Sequence, residues 1–167
     1  MKIPSACKVE AIASTDETRP FIGHPFLTGS KLVATNGQAL VVIPIELSEG
    51  DADGYVTAAA LKLARKGSDN PEIRCNGTLT LSDGTQLPRP GAQGKPFPDY
   101  RQCVPKDPPT LAIAFSVKNL RALGDALGAQ HLVLEIKDAT SPVIVRPAGY
   151  RVPVQEAFGV LVPYRIK

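Results

Sequence analysis

Thr57-Ala58-Ala59-Ala60-Leu61-Lys62-Leu63-Ala64-Arg65-Lys66-Gly67 is the stretch on which the fold turns, because the chain writes its plan again further on. Thr57 suits a helix N-cap, the alanines and leucines favour helix from Ala58 to Lys66, and Gly67 marks the stop. Leu61 and Ala64 fall on one side of that helix, while Lys62, Arg65 and Lys66 share another. At an offset of 59 residues Ser116 takes the cap position, Leu120 aligns with Leu61, Arg121 with Lys62 and Leu132 with Ile73. The second helix then runs from Val117 to Leu127, with Leu120, Leu123 and Leu127 as its apolar stripe and Gly128 as its end. An internal repeat of this kind constrains the whole fold.

The flanks follow the same plan. Gly54-Tyr55-Val56 reads as a short strand before the first helix. Glu72–Cys75 and Thr78–Leu81 read as strands after it, with a turn at Asp83-Gly84. Residues 88–98, rich in Pro, Gly and Gln, read as a connector. In the later copy the strands are Leu111–Phe115, His131–Ile136, Pro142–Arg146 and Val160–Val162. A looser copy opens the chain. Ser5 caps a short helix ending near Ser14, with Val9 and Ile12 on one face. Phe21–Leu27 is a strand kept irregular or at an edge by Pro20 and Pro25. Leu32–Thr35 and Leu40–Ile43 pair about an Asn36-Gly37 turn. Ser48–Gly54 is an acidic, flexible loop. The plan is strand, helix and about three strands, written three times. Two such copies side by side make a sheet-plus-two-helix domain in the α+β class. The expected organisation is a domain over 1–96, built from halves at about 1–47 and 54–96, a linker at 97–109, and a third half-domain at 110–167.

Composition narrows the classes of function. With 167 residues, 43% of them hydrophobic, the chain can bury a core without staples. Its net charge of +3 is mild, so a nucleic-acid partner requires the positive charge to be gathered on one surface. Cys7, Cys75 and Cys103 are odd in number and widely spaced, which fits reduced thiols in a cytoplasm rather than a disulfide framework or a zinc ribbon. The opening MKIPSACKVEAIAS lacks the apolar stretch of a signal peptide, and no window reaches about 18 uninterrupted apolar residues. No nucleophile elbow, P-loop or metalloprotease helix occurs; Gly94-Lys95 lacks the flanking residues of a phosphate cradle. His24 and His131 read as structural, and Asp51 and Asp53 as a solvated turn. No enzyme activity, cofactor or metal is expected.

Four segments, in order, resemble the bacterial DNA polymerase III beta sliding clamp family. Phe97-Pro98-Asp99-Tyr100-Arg101 with Val104-Pro105 resembles the FPDYR segment at the link between clamp domains. Leu32 to Leu40, LVATNGQAL, resembles the family's VATDGHRLA. Gly159 to Ile166, GVLVPYRI, resembles its C-terminal VMPMRL. Asp16-Glu17-Thr18-Arg19 with Phe21-Ile22 is similar to the stretch before the first hairpin of a clamp domain. The likeness spans nearly the whole chain, yet a family subunit has six half-domains where this chain has three. It is like the middle domain joined to the last half-domain, a short form typical of phage or other mobile elements. Asn36, Gln38 and Ala39 replace the family's Asp, His and Arg, Tyr164 replaces a Met, and Gln102 stands where an Arg is usual.

The resemblance implies a processivity factor with two working surfaces. One is an inner wall of basic helix faces that meets duplex DNA without reading its sequence. Lys62, Arg65 and Lys66 form one such stripe, Lys118 and Arg121 a second that Asp125 blunts, and Lys8 stands alone. The other is an apolar pocket for short linear motifs of DNA polymerase or other replication and repair proteins. Its lining, carried over by motif position, is Ile22, Thr35, Gly37, Leu40, Pro98, Arg101, Cys103, Val160, Val162, Pro163, Tyr164 and Arg165. The lost His and Arg near Gly37 imply an altered peptide preference. An unpaired half-sheet exposes an edge, so pairing across chains into a tetramer or dimer is expected. The alternative is a non-ring peptide-binding module that intercepts clamp partners without encircling DNA.

Overall fold

The computed structural model describes residues 1–92, 94–149 and 156–165. The chain divides into two compact units, Met1–Val104 and Pro105–Lys167, and the division falls within the stretch expected to link domains. Each unit mixes helix with antiparallel sheet, so the class is α+β.

The first unit holds two sheets. Strands β1 (Phe26–Thr28), β2 (Lys31–Thr35), β3 (Leu40–Pro44) and β4 (Gly54–Tyr55) form one, in the order β3-β2-β1-β4. Helix α1 (Ala58–Gly67) follows, and then β5 (Ile73–Cys75), β6 (Thr78–Leu81) and β7 (Gln86–Pro88) form the other. The Thr57 side chain accepts from the Ala60 N–H, as the cap reading expects. Gly67 is the last helical residue rather than a left-handed stop, and Ser68 takes the cap. Ala60, Leu61 and Ala64 are almost wholly buried, and they pack into one cluster with Leu27, Leu32, Ile73 and Leu79 from both sheets. Lys2 bridges to Glu46 after β3 and to Glu72 before β5, and so ties the two halves together at the backbone.

The second unit holds α2 (Val117–Ala126), β8 (His131–Glu135), β9 (Val143–Ala148) and β10 (Gly159–Leu161), with sheet order β10-β9-β8. Ser116 caps α2 through the Asn119 N–H, 3.3 Å away. The offset of the repeat carries α1 onto α2 residue for residue. Gly159 has no side chain because Leu123 occupies the space: a Cβ there would lie 2.6 Å from Leu123 Cδ2. Val143, Val145 and Leu161 are its buried apolar side chains among the described residues.

Several elements differ from expectation. The opening helix is a single 3-10 turn, Val9–Ala11, whose cap position is Lys8 without a side-chain acceptor; Ser5 does not cap it. Residues 21–27 split into a 3-10 turn, Pro20–Ile22, and the short β1, because Pro20 fixes the first helical position and Pro25 cannot donate to a ladder. Asn36-Gly37 belongs to a four-residue connection, in which Asn36 Oδ1 accepts from the N–H groups of Gln38 and Ala39. β7 is not expected from the sequence and ends at Pro88, the first residue of the stretch read as a connector; as an edge strand it tolerates that proline. Leu111–Phe115 makes one isolated bridge, Ala114 to Tyr164, rather than a strand. Asp51 is not part of a solvated turn, whereas Asp53 is exposed. The Asp51 side chain is 1% exposed, and Asp53 accepts from the Gly29 N–H.

Candidate functional site

The first unit carries a cavity of about 560 Å³ that draws on three separated segments. Thr18 to Ile22 supplies one wall, the β2–β3 connection a second, and Lys95 to Cys103 a third. Each segment is held locally. The Ser14 N–H donates to the Ile22 carbonyl and the Tyr55 hydroxyl to that of Phe21, which fixes the first wall. In the second, Thr35 Oγ1 donates to the Ala39 carbonyl and accepts from the Gly37 N–H. Gly37 takes φ +89°, a conformation that favours glycine, and Arg19 Nη1 lies near enough that an added Cβ would sit 3.1 Å from it. In the third, Phe97 stacks on Phe26 with centroids 5.0 Å apart and meets Tyr55 edge-on at 6.4 Å. Asp99 then caps the 3-10 turn Tyr100–Gln102.

The lining of the cavity is mostly apolar. Phe21, Ile22, Leu40, Phe97, Pro98 and Tyr100 give it an apolar floor. Its polar members are Thr18, Thr35, Arg19 and Lys95, together with backbone at Gly37. Apolar surface with a few polar groups at the rim suits a ligand that buries one or two side chains. Among the described residues no group of three or more His, Cys, Asp and Glu is arranged to hold a metal ion. No helix among them is long and apolar enough to cross a membrane.

Of the lining residues expected from sequence, Ile22, Thr35, Gly37, Leu40, Pro98 and Cys103 come together at this cavity. Arg101 is not among its lining residues; its guanidinium lies over the Tyr100 ring, 5.8 Å from the centroid. Val160, Val162, Pro163, Tyr164 and Arg165 belong to the second unit, where Val160 is in β10 and Tyr164 pairs with Ala114. Ile166 of that segment lies outside the described residues. The sequence reading missed Thr18, Arg19, Phe21, Lys95, Phe97 and Tyr100. Most of these stand inside segments already singled out; Phe21 adjoins Ile22 and Phe97 adjoins Pro98 in irregular backbone where no strand alternation applies.

The basic residues divide. Lys8, Lys62, Lys66, Lys118 and Arg121 are exposed. Arg65 is not: it pairs with Glu10 and donates to the Cys7 carbonyl, with 12% of its side chain exposed. Arg65 therefore joins the opening segment to α1, and the α1 stripe is carried by Lys62 and Lys66. On α2, Arg121 faces Asp125 at 4.0 Å. The cysteines, all free, divide as well. Burial pushes the Cys75 thiol up to about 11, while Cys103 is exposed. His131 is exposed on β8, and the Nδ1 atom of His24 is buried without a hydrogen-bond partner.

The fold is that of the bacterial DNA polymerase III beta sliding clamps. The beta subunit from Pseudomonas aeruginosa matches with a TM-score of 0.67 at 16% identity, over 98% of this chain and 50% of that one. The beta subunit from Borrelia burgdorferi, solved in complex with a natural product, matches at 0.62 and 15% identity, over 97% and 48%. That from Caulobacter crescentus matches at 0.58 and 17%, over 99% and 65%. The chain thus spans about half the length of the first two. No protein-family model matches the sequence, and no curated protein does.

Proposed function

We propose that this chain is a clamp-like scaffold without chemistry of its own, which holds DNA polymerase or another replication or repair protein at duplex DNA. The observation that carries this reading is the first-unit cavity, in which three distant segments converge on an apolar floor with backbone and two cations at its edge. A short linear motif would seat a Leu or Phe side chain there, while Lys62 and Lys66 meet phosphate without regard to sequence. Fluorescence polarisation with a labelled Leu- and Phe-anchored nonapeptide tests it. Leu40→Asp should weaken binding by about 30-fold, the loss typical of a buried anchor site. A peptide that binds wild type and Leu40→Asp alike contradicts the assignment.

Self-association belongs to the same reading. Leu111, Val133, Ile136, Val160 and Val162 of the second unit are exposed, and association between copies would cover them. Pairing between chains would show as a molar mass above 17.7 kDa in light scattering. The runner-up, a peptide-binding module that never encircles DNA, draws support from the Arg121–Asp125 pair, which cancels charge on the second helix. Equal retention on circular and linear duplexes would favour it.

A further inference from the structure

In the first unit each half is closed by the leading segment of the other. β4, the strand before α1, pairs with β1 of the opening half, with Tyr55 opposite Phe26. The Val56 N–H then donates to the Pro25 carbonyl at 2.8 Å. The return closure has the same form: Lys2 bridges to Glu72, and the Ile3 N–H donates to the Pro71 carbonyl at 2.9 Å. The Ile73 N–H donates to the Met1 carbonyl at 3.0 Å, so the outer edge of β5 is covered. The second unit carries the same parts without the closure. The offset of 59 places Ala114 on Tyr55, Phe115 on Val56, Gln130 on Pro71 and His131 on Glu72. Ala114 bridges to Tyr164, as Lys2 bridges to Glu46 within its own half. The second bridge of Lys2, across to the other half, has no counterpart at Ala114 among the described residues. β8 is the outer strand of its sheet, and among the described residues no backbone hydrogen bond reaches its free edge. Tyr55 and Val56 are buried, whereas Ala114 and Phe115 are only half-buried.

We propose that two copies of this chain close each other here, with residues 111–115 of each copy lying antiparallel along the β8 edge of the other. This rests on the self-association reading above and names the surface that carries it. The pairing is isologous, because segment and edge belong to the same half and a twofold axis exchanges them. Its register follows from the first unit. Ala114 of one copy stands opposite His131 of the other, and the Phe115 N–H donates to the Gln130 carbonyl, the bond that Val56 makes to Pro25 and Ile3 to Pro71. Leu111-Ala112-Ile113-Ala114-Phe115, without charge or proline, suits strand addition, in which main-chain hydrogen bonds supply affinity. The occupant is a second copy rather than another protein, because in the first unit a half is completed by a repeat of its own plan. Closure brings the half-buried Leu120 and Leu123 of both copies to one core, as Leu61 and Ala64 are brought in the first unit.

The test is a cysteine cross-link in the full chain, with Cys103→Ser removing the exposed native thiol. Residues directly opposite across antiparallel strands have Cα atoms about 4.5–5.5 Å apart, within disulfide reach. Under mild oxidation Ala114→Cys with His131→Cys should run as a covalent pair on a non-reducing gel, and neither single variant should. Ala112→Cys with Val133→Cys, both at exposed positions, gives an independent pair in the same register. Light scattering of the wild-type chain should give at least twice 17.7 kDa. A mass that stays at 17.7 kDa across a concentration series overturns this surface and the self-association reading together. If the wild type associates but neither double variant yields more covalent pair than its single variants, the surface is overturned and self-association stands.

Discussion

Helices α1 and α2 are the same element written twice, and the molecule treats them differently. At matching repeat positions α1 offers Ala60, Leu61 and Ala64, almost wholly buried, whereas α2 offers Asn119, exposed, and Leu120 and Leu123, half-buried. The charged side differs too. Lys62 and Lys66 of α1 stand one turn apart with like charge, while their counterparts are Arg121 and Asp125, which meet at 4.0 Å. The position of Arg65 is taken by Gly124. The first unit is a finished pair of halves around one core. The second is a single half, with its sheet and helix formed and its apolar side chains only partly covered. The pattern of a repeat thus specifies the elements, and the neighbour it packs against decides how much each buries.

The largest expected effect separates the two helices by stability. Leu61→Ala should cost about 3 kcal/mol, as a fully buried leucine does, whereas Leu120→Ala should cost about 1 kcal/mol. Denaturant midpoints at fixed slope read the difference; equal costs would erase the distinction between the units.

Acid lability of the first unit should follow from Asp51. Burial works against the ionised form of Asp51, but hydrogen bonds from the Met1 ammonium and from the N–H groups of Cys75 and Ser48 hold its carboxyl below the usual range. A carboxyl depressed on folding stabilises above its unfolded pKa of about 3.9 and loses that contribution as pH falls through the folded value. Asp51→Asn should therefore cost about 2 kcal/mol near neutrality, with the gap to wild type closing in strong acid. A pH-independent gap would show that ionisation is not its role.

DNA affinity should respond less. Lys62→Glu with Lys66→Glu should weaken binding to a long duplex about tenfold and flatten the salt dependence by about two phosphate contacts. Lys118→Glu with Arg121→Glu should do less, since Asp125 already offsets one charge. Filter binding across a salt series decides it, and equal losses would mean that both helices meet DNA alike. Arg65 is left out of the pair because reversing it would break its contact with Glu10.

Reactivity gives the smallest and cleanest contrast. At pH 8 Cys103 should alkylate readily in the folded chain, while Cys75, with its thiol near 11, should stay protected until unfolding. Peptide in the pocket should slow modification of Cys103, which lines it. Mass spectrometry of timed reactions reads both.

The repeat, both helix N-caps and eight of the ten strands among the described residues were legible, because periodicity and cap chemistry are local. β7 was hidden by Pro88, whose edge position only the assembled sheet reveals. The opening helix was overread because Val9 and Ile12 fit a helical spacing that one 3-10 turn also satisfies. Asp51 looked solvated since nothing local shows that Met1 and Cys75 converge on it from far along the chain. Ile22, Thr35, Gly37, Leu40, Pro98 and Cys103 were grouped from segments resembling the clamp family and line one cavity, whereas Val160, Val162, Pro163, Tyr164 and Arg165, grouped with them by motif position, belong to the second unit. Arg65 was misplaced with its lysine neighbours, because its partner Glu10 lies 55 residues away.

The most direct test of the pocket is a backbone NMR titration of the full chain with the Leu- and Phe-anchored peptide. The account predicts saturable shifts at Ile22, Thr35, Gly37, Leu40 and Cys103, with α2 silent. Shifts absent from those residues, or centred on another surface, would contradict it.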